Sequence, residues 1–214
     1  MKNDHKFVLL MIAICCLQVL PFVFWPRIAK ADNVVYVDQV SGDSNTITVT
    51  QDGINNTALI KSQGAANTTS LTQQDSTNAK LGINGDGNYL AITQGGTFST
   101  PHYAETNISG NNNTLNATQY GNANQYISTT ISGNNNTVSS TQSGTASHSM
   151  TATLTGNYNS LTSSQTGSTS NSANVNLTNA GGPASLDLQQ TGGNTLNFNM
   201  TCINPAGCAT VVRQ

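Results

Sequence analysis

Polar and apolar positions alternate along this chain with the period of a β-strand, and the alternation recurs. Seven short segments share one shape: an opening residue that is usually Asn, then apolar or small residues at every second position, then Gln. Asn45-Thr-Ile-Thr-Val-Thr-Gln51, Asn88-Tyr-Leu-Ala-Ile-Thr-Gln94 and Asn113-Thr-Leu-Asn-Ala-Thr-Gln119 are three of them. The closing residues Gln51, Gln73, Gln94, Gln119, Gln142, Gln165 and Gln190 stand 22, 21, 25, 23, 23 and 25 residues apart. Side chains of one parity share a face of a strand. That face carries Asn45, Ile47, Val49 and Gln51, then Asn67, Thr69, Leu71 and Gln73, then Asn88, Leu90, Ile92 and Gln94. It continues with Asn113, Leu115, Ala117 and Gln119, and with Asn136, Val138, Ser140 and Gln142. Asn159, Leu161, Ser163 and Gln165 follow, then Ala184, Leu186, Leu188 and Gln190. The other parity is mostly Thr, Ser and Asn, which suits water, and no helical period competes.

A looser set of strands lies between these segments, with Ile127, Thr129 and Ile131, or Met150, Ala152 and Leu154, at alternate positions. Ala173, Val175 and Leu177, then Leu196, Phe198 and Met200, continue the set. In six of the seven units Gly stands two positions after the Gln, which marks a tight turn. The heptapeptide at 108–114 recurs identically at 131–137. A unit of about 23 residues is too short to bury a face alone, so the units must stack. The expected fold is therefore all-β: a parallel β-solenoid with two strands per turn and about seven rungs, its strands about 4.8 Å apart as in cross-β stacking.

Inward amides are costly if unpaired. Repeated at one site in every rung, they bond to the copies above and below and form a ladder. The predicted structural ladder comprises Asn45, Gln51, Asn67, Gln73, Asn88, Gln94, Asn113, Gln119, Asn136, Gln142, Asn159, Gln165 and Gln190. On this pattern residues 45–200 are the solenoid, 32–44 an N-terminal segment with a first strand, and 201–214 a tail. Residues 95–107, with Pro101, lengthen one turn, and Ala180-Gly-Gly-Pro183 lengthens another. Asp75, Lys80 and Asp86 gather near Gly82; they are either guards against aggregation or solvated turn residues.

Residues 1–31 have the form of a cleaved secretory signal. Lys2 and Lys6 precede an apolar stretch from Phe7 to Trp25, and Ala29-Lys-Ala31 supplies small residues for cleavage. A membrane anchor fits less well, because Pro21 breaks a stretch of marginal length. Without this segment the basic residues are Lys61, Lys80 and Arg213, against eight acidic ones, so the formal charge moves from −2 to −5. Nucleic-acid binding needs clustered Lys or Arg and is excluded as a function class. Abundant Thr, Ser, Ile and Val with little charge also differ from the composition of a disordered chain.

Little here points to catalysis. His102 and His148 are expected far apart in the repeat phase, and no carboxylate pair recurs, so neither an enzyme nor a cofactor is expected. Gly85-Asp-Gly87 is a solvated turn, since calcium-binding solenoids need Asp in every turn. Cys202 and Cys208, an even pair in an exported chain, suggest a disulfide loop that caps the last rung; two free thiols are the alternative.

Gln51-x-Gly-x-x-x-Asn56, then Gln63, then Asn67-x5-Gln73 resembles the curlin repeat, with its Ser-x5-Gln, Gly-rich turn with Asn, and second Gln. Asn33-x5-Gln39, with Val35 and Val37, looks like a further strand, and the similarity runs over residues 33–200. Asn replaces the first Ser in most units, and the second Gln becomes Asn84 or a Ser-Gly or Thr-Gly turn later in the chain. The resemblance implies export as an unfolded chain and assembly outside the cell into amyloid fibres for adhesion and biofilm matrix. Its implied partners are copies of itself, a nucleating minor subunit and an outer-membrane secretion channel, with no membrane contact after the signal is removed. Two other classes stand beside it: an ice-binding solenoid and a non-polymerising adhesin stalk. Thr46, Thr48 and Thr50 alternate as an ice-binding face would, but Asn116 and Ser139 interrupt the pattern.

Overall fold

A computed structural model describes residues 33–96 and 100–214, with the side chains of residues 39–41 left aside. The expected signal at 1–31 lies outside the described residues. Sixteen strands follow one another along the chain. The first six are β1 (Val34–Ser41), β2 (Thr46–Asp52), β3 (Thr57–Gln63), β4 (Thr68–Gln74), β5 (Asn78–Asn84) and β6 (Tyr89–Gly95). Then come β7 (Tyr103–Ser109), β8 (Thr114–Gly121), β9 (Gln125–Ser132), β10 (Thr137–Gly144) and β11 (His148–Thr155). The last five are β12 (Ser160–Gly167), β13 (Ser172–Asn179), β14 (Ala184–Thr191), β15 (Thr195–Cys202) and β16 (Cys208–Arg213).

Odd-numbered strands make one eight-stranded parallel sheet and even-numbered strands the other. Each turn of chain gives one strand to each sheet, so the fold is a two-strand parallel β-solenoid of eight turns, all-β as the alternation predicts. Pairing is in register with the repeat: Gln94 lies beside Gln119, Gln119 beside Gln142, and Gln142 beside Gln165. The register follows from parity, because a one-residue slip would turn every apolar side chain outward.

The core is the narrow space between the two sheets. From the even sheet, Leu90, Leu115, Val138, Leu161 and Leu186 form a buried row. From the odd sheet, Ile83, Ile108, Ile131, Leu154 and Leu177 form another. Burying each such side chain stabilises by roughly 1.5–3 kcal/mol. At the two ends the inner residues have no cover on one side among the described residues. Val35 and Val37 are 46% and 43% exposed, and Leu196, Phe198 and Met200 are half-buried.

The turns explain the recurring Gly-Asn-Asn-Asn. Gly133 has φ +132°, and a Cβ there would overlap the carbonyl oxygen of Gly156 one turn on. Asn135 follows with φ +58°, a left-handed conformation that Asn tolerates.

Two features depart from the repeat read off the sequence. There are eight turns where seven Gln segments suggest seven, because the tail after residue 200 folds back as β16 along β14. Thr210, Val212 and Gln214 hold the inward parity there, and Gln214 stands 24 residues after Gln190, a spacing within the repeat. The first strand, with Val35 and Val37, joins the odd sheet, and Gln39 pairs with Ser62, so it does not open the Gln51 series.

Candidate functional site

The two sheets meet along corners, and the amides stand at the corners. Along one, Gln51, Gln73, Gln94, Gln119, Gln142, Gln165 and Gln190 line up, one per turn. Each donates from Nε2 to Oε1 of the next, at 2.7–3.1 Å. Gln190 donates in turn to Oε1 of Gln214 at 3.1 Å, a member of the row that the sequence reading misses. The same nitrogens also reach the facing sheet. Gln94 bonds the carbonyl of Asn78 at 3.1 Å, Gln119 that of Tyr103 at 3.1 Å, and Gln142 that of Tyr126 at 2.9 Å. Each Gln therefore ties its turn to the next turn and one sheet to the other.

A second row occupies the corner before the even strands. Asn67, Asn88, Asn113, Asn136 and Asn159 each donate a backbone N–H to the Oδ1 of the Asn one turn earlier, at 2.8–2.9 Å, beginning with Asn45. Their Nδ2 groups hold the turns: Asn88 bonds the carbonyl of Gly110, Asn113 that of Gly133, and Asn136 that of Gly156. The row ends at Asn159, whose Oδ1 receives the N–H of Ala184. Ala184 stands where an Asn would be, after the long turn at 180–183.

A third row lies at the corner before the odd strands: Asn33, Asn56, Thr77, His102, Gln125, His148 and Asn171. The two histidines share one repeat phase, two turns apart with Gln125 between them, so the expectation that they lie far apart in phase is wrong. The spacing itself is the signal that could have found it: His102 and His148 stand 46 residues apart, two repeats of 23, with Gln125 midway. His102 Nδ1 accepts the N–H of Gln125 at 3.3 Å, and its Nε2 lies 3.0 Å from the carbonyl of Gly95. His148 Nδ1 accepts the N–H of Asn171 at 3.2 Å, and its Nε2 lies 3.1 Å from the carbonyl of Ser143. Both rings act as neutral imidazoles, with Nε2 donating. Burial lowers the pKa of each, although the bond to the Gly95 carbonyl acts the other way for His102 and those to Ser143 and Gly167 do so for His148.

An outer row also escapes sequence reading. Oδ1 of Asn111, Asn134 and Asn157 accepts the N–H of Asp86, Asn111 and Asn134 respectively, each at 2.7 Å. The recurrence of Gly-Asn-Asn-Asn is the signal that could have found it. Charged contacts are few. Lys80 pairs with Glu105 at 2.9 Å and Lys61 with Asp38 at 3.9 Å, both on the outer face of the odd sheet. Tyr103 and Tyr126 stack beside them, ring centroids 5.4 Å apart.

Cys202 ends β15 and Cys208 opens β16; their sulfurs are joined, with the Cα atoms 5.6 Å apart. Cys208 pairs with Ala184, so the covalent link closes the corner where the Asn row has stopped. Among the described residues no group of three or more His, Cys, Asp or Glu converges to hold a metal ion.

These rows arrange hydrogen bonds along an axis, and what they do chemically is join one turn to the next. The sequence model of the curlin associated repeat matches residues 31–53 and 42–74, which span β1 to β4. Residues 31–74 resemble the curlin repeat. No curated protein and no solved structure matches the chain. The curlin-like part includes the start of each of the three corner rows, with Asn33, Asn45 and Gln51, and β5 to β16 continue the same solenoid.

Proposed function

We propose that this chain is an exported structural subunit that assembles with copies of itself into extracellular curli-like fibres, serving adhesion and biofilm matrix. The supporting observation is that, among the described residues, nothing covers either end of the solenoid. The outer edges of β1 and β2, and of β15 and β16, carry unpaired strand groups beside half-exposed apolar residues. Such edges are templates for another chain. The amide rows serve as the structural ladder that extends across copies, and the disulfide steadies the last turn. Residues 1–31 act as the export signal, and a secretion channel with a nucleating subunit completes the expected partners. The test is assembly of the mature protein: thioflavin-positive fibres with a 4.7–4.8 Å reflection, after a lag that preformed fibres abolish. A protein that stays monomeric at high concentration with a stable β-rich spectrum sinks this reading.

One observation favours a second reading. Thr50, Thr72, Thr93, Thr118 and Thr141 are direct partners across five turns on the outer face of the even sheet. A flat row of hydroxyl and methyl groups suits ice. Thermal hysteresis from the monomer, lost in Thr93→Lys, would support that reading over the fibre.

A further inference from the structure

Six tyrosines stand in this chain, all among the described residues, and only two of them meet. Tyr103 on β7 and Tyr126 on β9 are direct partners in the odd sheet, and both point outward. Their rings lie within 4° of parallel with centroids 5.4 Å apart, an offset stack. Elsewhere the ladder keeps tyrosines apart. Tyr36 lies beside Leu59, Tyr89 between Thr68 and Thr114, and Tyr120 between Gly95 and Ser143, while Tyr158 stands outside the strands. Tyr126 is 38% exposed and Tyr103 half-buried, so a small oxidant reaches both. The next residues along the row, Asn78 and Ser149, are smaller and leave the rings space to pivot.

We propose that Tyr103 and Tyr126 form an oxidative modification site, at which a haem peroxidase with hydrogen peroxide joins them as dityrosine. Each phenol gives up one electron and one proton. The Tyr103 proton has a receiver at hand in Glu105 Oε2, 3.4 Å from the phenol oxygen, and the Tyr126 proton goes to water. The two phenoxyl radicals couple through their Cε carbons as the rings roll from face-to-face to edge-to-edge. One C–C bond forms, two Cε–H bonds break, and protons return to the oxygens to restore both phenols. The sum is two electrons and two protons lost, which one peroxide takes up to give two waters. Radicals held side by side by the ladder meet each other far more often than they meet another chain. Joined cysteines such as Cys202 and Cys208 go with an oxidising setting, where such an oxidant acts. The product ties β7 to β9 covalently through residues 23 apart, across a contact otherwise held by hydrogen bonds and packing. The site needs the folded solenoid and does not need the fibre.

Glu105 is the chain's only glutamate and stands between the two tyrosines, so one cut separates them. The full mature chain, folded and dilute, is treated with a haem peroxidase and limiting hydrogen peroxide, then unfolded and cleaved after Glu105. The two halves should stay joined, with the monomer lighter by two hydrogens and showing dityrosine fluorescence. The yield should not change over an about tenfold range of protein concentration. Tyr126→Phe keeps a ring in the stack but removes the phenol, so its halves should part and the fluorescence fall several-fold. Tyr120→Phe should match the unsubstituted chain. The linked chain should also unfold at higher denaturant, because the link restricts the unfolded chain. Halves that part in the unsubstituted chain, a link that survives Tyr126→Phe, or coupling only between chains would overturn the site. Equal coupling of this pair in denaturant would overturn it too, since the fold would then have no part in choosing the partners.

Discussion

At the residue scale, the interior amides are held by two sets of bonds, whereas the buried hydroxyls of Ser62, Thr69, Thr106, Thr129 and Ser163 are held by none. Gln119 receives one amide bond, gives another and clasps the Tyr103 carbonyl, all while fully buried. Gln119→Ala leaves the partners in Gln94 and Gln142 short of a bond and opens a gap. It should destabilise the monomeric solenoid by about 1–3 kcal/mol in chemical unfolding. Thr118→Ser on the outer face should change it by no more than about 0.5 kcal/mol. Thr106 and Thr129 are buried neighbours in one row whose hydroxyls have no hydrogen-bond partner. Thr129→Val keeps the shape and removes the unpaired hydroxyl, so the unfolding midpoint should rise, by the equivalent of about 1 kcal/mol. A fall would mean that the hydroxyl has a partner. The histidines set a pH dependence. Their folded pKa values lie below the ordinary value of 6.5, so the folded state resists a proton that the unfolded state takes up. Stability from this source is full above about pH 6.5 and falls as the pH drops below it, until the folded groups titrate. His102→Gln with His148→Gln places in both positions the residue found between them at Gln125. Unfolding midpoints from pH 8 to pH 5 should decline for the unsubstituted chain and flatten for the double variant.

At the scale of the element, the strands were legible and their partners in the turns less so. Period-two alternation locates every even strand before β16, because Thr outside and apolar or amide inside leave one parity for the core. β16 is obscured by the cysteines. Cys208 fills the place of the opening amide, and the pair draws attention to a loop when it belongs to a further strand. The disulfide closes only seven residues, worth roughly 2 kcal/mol of chain entropy on a loop-closure argument. Its reduction should therefore loosen β15 and β16 alone. Amide exchange should quicken in those strands and stay unchanged from β7 to β13. Loss of protection throughout would make this link, and not the amide rows, the source of stability.

At the scale of the whole molecule, charge is concentrated at the start and absent from the middle. Residues 106–186 contain no Asp, Glu, Lys or Arg. Salt should accordingly have little effect on unfolding of the monomer, since the middle turns are held by amides and burial. Unfolding midpoints measured from about 10 mM to about 500 mM salt, where the screening length falls from about 30 Å to a few ångströms, should agree, and a large shift would contradict this division.

The sequence by itself determined the class of fold, the parity of each even strand and the recurrence of Asn and Gln at its ends. Those follow from local chemistry repeated at a fixed interval: an alternating strand has one apolar face, and a unit of about 23 residues must stack to bury it. Only the tertiary structure decided which residues share the row at the corner before the odd strands. Turn lengths vary from one unit to the next, so Thr77, His102 and Asn171, which follow Gln73, Gln94 and Gln165 by 4, 8 and 6 residues, meet in one row that a fixed offset does not reveal. The same holds for the sense of the Gln row. Direction is a property of how one turn sits on another, and no single unit contains it.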